Sequence, residues 1–345
     1  MPVFERSKLF ITILLLLLIL IVLLLLIHLP LFLHRRKYSY SLASRFKMDR
    51  LKSLQSPRIL LIGDSNLAMG IDSERIEQEL GHPVCDMGMG RRYGLYFVLR
   101  EIHKHVQPGD ILVYSPAYKQ FFVKPWGNGK LLLEHAEVVP EAWSWYHKKQ
   151  KMLVLKAIPE TLAKSFRFLL RSIRGVKHSE RRLFTVNALN EYGDIVAHLT
   201  ADSPEKVTAN VAGGEITWPD YLNVNEYQWK HTRVHPVAMK ILERFFTAWH
   251  NRGATAFITF EPIRQWELDE NGDKFETILS ALRDLQNVNI LGLPEHFTFG
   301  EEHFFDYLNH MNREGRQLRT EKMIQLLREA GISTRNPAGP ELKVS

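Results

Sequence analysis

The stretch "RILLIGDSNLAMGI", residues 58–71, ends an apolar run abruptly in Gly63-Asp64-Ser65-Asn66. A short apolar run that stops at such a cluster reads as a buried strand followed by a tight turn into a helix. A serine at that point has two readings. It can be the N-cap of the helix that follows, or a nucleophile exposed at the end of a strand.

Outward from this turn, helices and strands alternate. "IDSERIEQELG" (71–81) is amphipathic and stops at Gly81, and "PVCDMG" follows as a short strand. "YGLYFVLREIHKHVQPGD" reads as a helix ended by Pro108-Gly109, and "ILVYSP" (111–116) as a strand stopped by Pro116. The alternation resumes with a helix over 235–253, a strand over 254–262, a helix over 273–286, a strand over 288–293 and a last helix over 312–331. This pattern predicts an α/β domain over 57–331, a three-layer, doubly wound parallel sheet covered on both faces. Residues 123–234 break the alternation and read as a helical insertion, and 332–345 read as a tail. Within the insertion, 147–182 carries eleven Lys/Arg against Glu160 and Glu180, and Leu155, Ile158, Leu162, Phe166, Leu169 and Ile173 recur at roughly helical spacing. That segment reads either as a solvated helix face or as a surface for anionic lipid or an acidic polymer.

Ahead of the domain, residues 9–33 form 25 residues without Asp, Glu, Lys or Arg, preceded by a flank over 1–8. The length suits a membrane span. It exceeds the apolar core of a cleavable signal peptide, and no small-residue cleavage site follows, so an uncleaved signal anchor is expected. Residues 34–56 are polar and basic and read as a juxtamembrane linker near anionic headgroups. Arg6 and Lys8 precede the span while Arg35, Arg36 and Lys37 follow it. Flanking charge alone would place the C-terminal side in the cytoplasm, yet large domains translocate regardless.

The chain is 345 residues long with a formal charge of +7. Residues 1–52 hold nine Lys/Arg and two Asp/Glu, so the remaining residues balance and no nucleic-acid partner is expected. Cys85 is the single cysteine, which excludes an intramolecular disulfide.

Ligands of doubly wound sheets bind beyond the carboxyl ends of the strands. Three segments fall there: the Gly63–Asn66 turn, "CDMGMGRRYG" (85–94) and "FFDYLNHMN" (304–312). Ser65 would need a base, an orienter for the base and backbone donors for an oxyanion. His310 and Asp306, four apart, share one face if the segment is a helical turn; otherwise they are a surface pair. Gly88 and Gly90 would allow close backbone approach to a ligand. Glu261 could line a pocket or cap a turn, and "NALNEYGD" (187–194) could contact a glycan or be a plain loop. "HTRVH" (231–235) has metal-compatible spacing but no companion Glu, so it reads as structural, and neither metal nor cofactor is expected. A nucleotide binder is disfavoured, because Gly63 and Gly70 do not form a Gly-rich phosphate loop.

With strand–Gly-Asp-Ser–helix first and an Asp…His pair before the final helix, the chain resembles the SGNH/GDSL hydrolase superfamily. Gly63-Asp64-Ser65-Asn66 is similar to its first block. "FFDYLNHMNREGRQLRTEKMIQLL" is similar to the membrane-anchored branch near cell-envelope O-acetyltransferase and D-alanylation proteins. The resemblance covers about 57–120 and 236–331, and implies a flavodoxin-like SGNH fold with Ser65, His310 and Asp306 as a catalytic triad. Gly88 or Gly90 is implied as an oxyanion donor, with Asp64, Asn66 and Tyr118 beside the substrate. The sequence departs from the pattern twice: the pair is spaced D-x-x-x-H, and "YSPAYKQFF" after the third strand holds Tyr114, Ser115, Tyr118 and Gln120 but no Asn. The implied activity is a serine esterase or O-acyltransferase acting on acyl esters of an envelope glycan or lipid-linked substrate, with membrane lipids and an envelope-assembly protein as partners. Its expected place is the cytoplasmic membrane with the domain on the extracytoplasmic side. The alternative is a non-catalytic accessory protein of the same fold that binds a glycan or a membrane partner.

Overall fold

In the computed structural model, residues 3–176, 183–200, 233–306 and 309–332 are described. The chain opens with α1 (Val3–Tyr38) and α2 (Leu42–Ser53), and enters the sheet with β1 (Ile59–Gly63). Then come α3 (Ser65–Gly70), α4 (Ser73–Leu80), β2 (Val84–Asp86), α5 (Leu95–His103) and β3 (Ile111–Ser115). After α6 (Lys119–Phe122), the insertion contributes α7 (Gly129–Val138) and α8 (Lys148–Ile173). The chain returns through α9 (Pro236–His250), β4 (Thr255–Ile258), β5 (Ile263–Arg264), α10 (Gln265–Arg283), β6 (Asn289–Ile290), β7 (Thr298–Phe299) and α11 (Arg313–Glu329).

Five strands form one parallel sheet in the order β2-β1-β3-β4-β6. Counted along the chain, this is the flavodoxin-like order of doubly wound sheets. The crossovers through α4 and α5 run in opposite directions along the sheet, so the right-handed rule places these helices on opposite faces. Packing follows suit: α11 lies on α3 and α4, and α9 lies on α5. β1 and β3 are buried along their whole length, as strands covered on both faces must be. β1 therefore ends between two parallel neighbours, with Gly63 level with Ser115 of β3. Gly63 has no room for a side chain: a Cβ there would lie 2.6 Å from the Ser115 carbonyl oxygen. A small β5–β7 pair sits apart from the main sheet; its strands are two residues each, too short to show an alternating pattern in the sequence.

The segment 34–56 differs from the linker expected of it. It closes α1 and forms α2, with Ala43, Met48 and Leu51 buried in the main core. Three of its seven Lys/Arg are engaged within the protein, while Arg36, Lys37, Arg45 and Lys52 stay exposed. Arg35 meets Glu134 and Glu137, and Arg50 bonds the Val84 carbonyl. Lys47 is fully buried against Asp86 and the Gly88 carbonyl. Charge composition alone misleads here, because buried partners four or more turns away in sequence are invisible to it.

Candidate active site

Asp64, not Ser65, caps α3. Its carboxylate accepts the Asn66 N–H at 2.9 Å, which satisfies one of the free donors of a helix start. Ser65 is thereby left as the first helical residue, with its hydroxyl turned to His310.

The Ser65 Oγ to His310 Nε2 distance is 3.0 Å. On the far side of the ring, His310 Nδ1 lies 2.7 Å from Asp306 Oδ2. A carboxylate only accepts, so the proton belongs on Nδ1 and the Nε2 lone pair faces Ser65. Both partner side chains are nearly buried. The Asp306–His310 pair is not built on a helical turn. It sits in a loop closed by the Phe304–Met311 antiparallel bridge and by the Phe305 N–H to His310 carbonyl bond. Asn309 takes a left-handed φ of 63°, a conformation Asn tolerates.

Arg264, which no local pattern marks, holds this loop in place. Its guanidinium donates to Asn309 Oδ1 at 2.6 Å and to the Asp306 carbonyl at 2.8 Å, and lies over the Phe304 ring. Arg319 of α11 is a second such residue. Fully buried, it donates to the Asn66 carbonyl (2.6 Å), Ser115 Oγ (3.1 Å) and the Phe260 carbonyl (3.4 Å), and so ties together the segments that follow β1 and β4 and the end of β3. In sequence it is one of several arginines in a polar helix.

The two candidate glycines take different places. The Gly88 N–H is spent on the Asp86 carboxylate, and a Cβ at Gly88 would stand 2.8 Å from the Asp64 carbonyl oxygen. Gly88 thus serves close packing under the start of α3. Gly90 has only the Tyr93 ring near its Cβ position, at 3.9 Å. Among the described residues, neither the Gly90 N–H nor the Ser65 N–H has a protein acceptor.

Asn66 and Tyr118, expected beside the substrate, face inward. The Asn66 side chain donates to Glu261, and the Tyr118 N–H donates to the same carboxylate at 2.6 Å. The Tyr118 ring is fully buried against Phe260 and Phe275. Glu261 therefore joins the loops after β1 and β3 rather than lining a pocket. Burial, with Asp64 nearby, pushes its carboxyl up to about 8, and burial likewise raises Asp64. Burial lowers the Arg319 guanidinium to about 10 although Asp64 and Glu261 oppose the shift. The side-chain amide after β3, Gln120, is spent on the Tyr114 hydroxyl and the Arg91 carbonyl, and Ser115 is engaged by Arg319.

Residues 183–200 pack beside the site. The Phe184 ring lies 6.2 Å from His310, and the Ile195 N–H bonds the Ala68 carbonyl of α3 at 2.7 Å. "NALNEYGD" is a buttress: buried Asp194 accepts from Ser73 and Arg316. His235 caps α9, while His231 lies outside the described residues. No group of three metal-ligating side chains occurs among the described residues. No protein-family model matches this sequence, and no curated protein aligns with it.

Proposed function

We propose that the chain is a membrane-anchored serine esterase or O-acyltransferase of the SGNH/GDSL type. The observation that carries this reading is the continuous chain from Ser65 Oγ through His310 to Asp306, at 3.0 and 2.7 Å. Such a chain activates an otherwise weak hydroxyl. Ser65 Oγ attacks an ester carbonyl as its proton passes to His310 Nε2, and Asp306 stabilises the imidazolium. The Ser65 and Gly90 N–H groups hold the oxyanion. The ester C–O bond then breaks, the alcohol takes the proton from His310, and the acyl group remains on Ser65. Water deacylates the enzyme in an esterase; a sugar hydroxyl does so in a transferase.

An acyl ester of an envelope glycan or a lipid-linked carrier fits the site's position. α1 is long and apolar enough to cross a membrane, and Tyr40, two residues beyond it, packs edge-on against Phe184 at 5.5 Å. Phe184 in turn touches His310. Two ring contacts thus separate the end of α1 from the base. We place the domain on the extracytoplasmic side, where such esters are found.

One observation favours a second reading, a glycan- or partner-binding protein without turnover: among the described residues, no Asn side chain follows β3 to complete an oxyanion site, and the Gln120 amide there is turned to Arg91. A missing donor costs roughly 10²–10³ in rate, which slows catalysis without abolishing it. A fluorophosphonate probe on the full chain separates the two. Labelling of the parent but not of Ser65→Ala is expected; an unlabelled parent would sink the enzyme reading.

A further inference from the structure

Most of the apolar stripe of α8 is exposed, with Leu162 and Leu169 half-buried. Leu155, Ile158, Leu162, Phe166, Leu169 and Ile173 follow steps of three and four residues, one face of a helix. In a water-surrounded domain such a face packs on the core. Here the inward face is Gln150, Val154, Ala157, Thr161 and Ser165, and it is this face that meets α7 and α1. Leu155, Phe166 and Ile173 are 52%, 50% and 72% exposed. The neighbouring sector carries exposed Lys156, Arg167, Arg171 and Arg174, and residues 148–174 hold eight Lys/Arg against Glu160 alone.

The position of α8 along α1 indicates what covers the stripe. Residues 9–27 contain no charge and no histidine; at 1.5 Å per residue they rise about 28 Å, close to the roughly 30 Å of a hydrocarbon core. Immediately beyond, α1 becomes polar in its contacts. His28 Nδ1 lies 2.7 Å from Ser165 Oγ of α8, and Nε2 lies 3.2 Å from Glu137, which also holds Arg35. α8 therefore packs on α1 where the charge- and histidine-free stretch ends, at the level of a bilayer surface.

We propose that α8 is a second membrane-binding helix whose apolar stripe sinks into the acyl boundary of an anionic bilayer while its basic sector meets the headgroups. This helix and α1 together seat the domain. The arrangement is that of interfacial amphipathic helices, which combine apolar burial with attraction to anionic lipid. It rests on the reading of α1 as a span and is independent of the catalytic one.

The test uses the full chain in vesicles of phosphatidylglycerol and phosphatidylcholine. Cys85 is buried and its thiol is pushed up to about 12, so it stays unlabelled and one new cysteine carries an environment-sensitive fluorophore. Phe166→Cys and Ile173→Cys report on the stripe, Leu17→Cys on α1, and Glu276→Cys on exposed α10. Iodide is present on both sides of the vesicles, and doxyl-labelled lipid is the second quencher. Strong doxyl quenching at 166 and 173, with iodide quenching several-fold below that at 276, is the expected result. Iodide access at 166 and 173 equal to that at 276 overturns the proposal, as does protection from both quenchers, which would mean a protein cover. If 17 also escapes the doxyl lipid, the span reading falls with it; if 17 is quenched, only the α8 proposal falls. Lys156→Gln/Arg167→Gln/Arg171→Gln should lessen doxyl quenching at 166 in the mixed vesicles but not in phosphatidylcholine alone. An equal response in both overturns the anionic preference.

Discussion

Asp64 caps α3 through the Asn66 N–H at 2.9 Å, and this frees the adjacent Ser65 hydroxyl to sit 3.0 Å from His310 Nε2. The two roles open to a serine at this turn are thus divided between neighbours. Ser65→Ala is accordingly expected to reduce hydrolysis of p-nitrophenyl acetate by at least roughly 10³-fold, with Tm unchanged because the cap survives. A variant as active as the parent would refute the mechanism.

Asp306→Asn tests the orienting role. The Asn amide can present its NH₂ to Nδ1, which favours the wrong imidazole tautomer and leaves Nε2 protonated toward Ser65. A loss of about 10³–10⁴ in kcat, with a near-native circular dichroism spectrum, is the expected pair of measurements.

The glycines should part company. Gly88→Ala places a methyl 2.8 Å from the Asp64 carbonyl oxygen and 3.0 Å from the Ala68 nitrogen, and overpacking of this kind costs about 1–3 kcal/mol. Urea unfolding reads this as a lower midpoint. Gly90→Ala has space around it, so its midpoint should stay within about 0.5 kcal/mol of the parent.

Glu261 gives a pH signature. Its folded-state pKa of about 8 lies above the ordinary carboxylate value near 4.3. The unfolded chain therefore releases this proton first. The stabilising contribution of the protonated form is complete below about pH 4 and is lost as pH rises through the folded value. The parent's Tm should fall between pH 5.5 and 8.5, and Glu261→Gln, which cannot ionise, should fall less. Parallel curves for the two proteins would contradict this assignment.

Several elements were legible locally. The buried β1 run, the Gly-Asp-Ser turn, the alternation up to β3 and again from α9, and the uncharged N-terminal helix all follow from period, length and turn residues. The helix expected over 235–253 is Pro236–His250, and the one over 312–331 is Arg313–Glu329. α10 begins earlier than expected, at Gln265, because it runs through a kink at Asn271 that interrupts the helical period.

Ser65, Asp306 and His310 could be singled out from the sequence because each stands at a break in a regular pattern. Their convergence could not, since Ser65 and His310 are 245 residues apart and nothing local encodes a distance across the sheet. The same reason separates Gly88 from Gly90, folds 34–56 into the core and gives Arg264 and Arg319 their work. Each depends on which distant donor or acceptor the fold delivers. For α8 the sequence determined an apolar stripe and a basic flank, but only packing decided that most of the stripe faces outward. Ser165 reaches His28 on α1, and that contact turns the small, polar side of the helix inward.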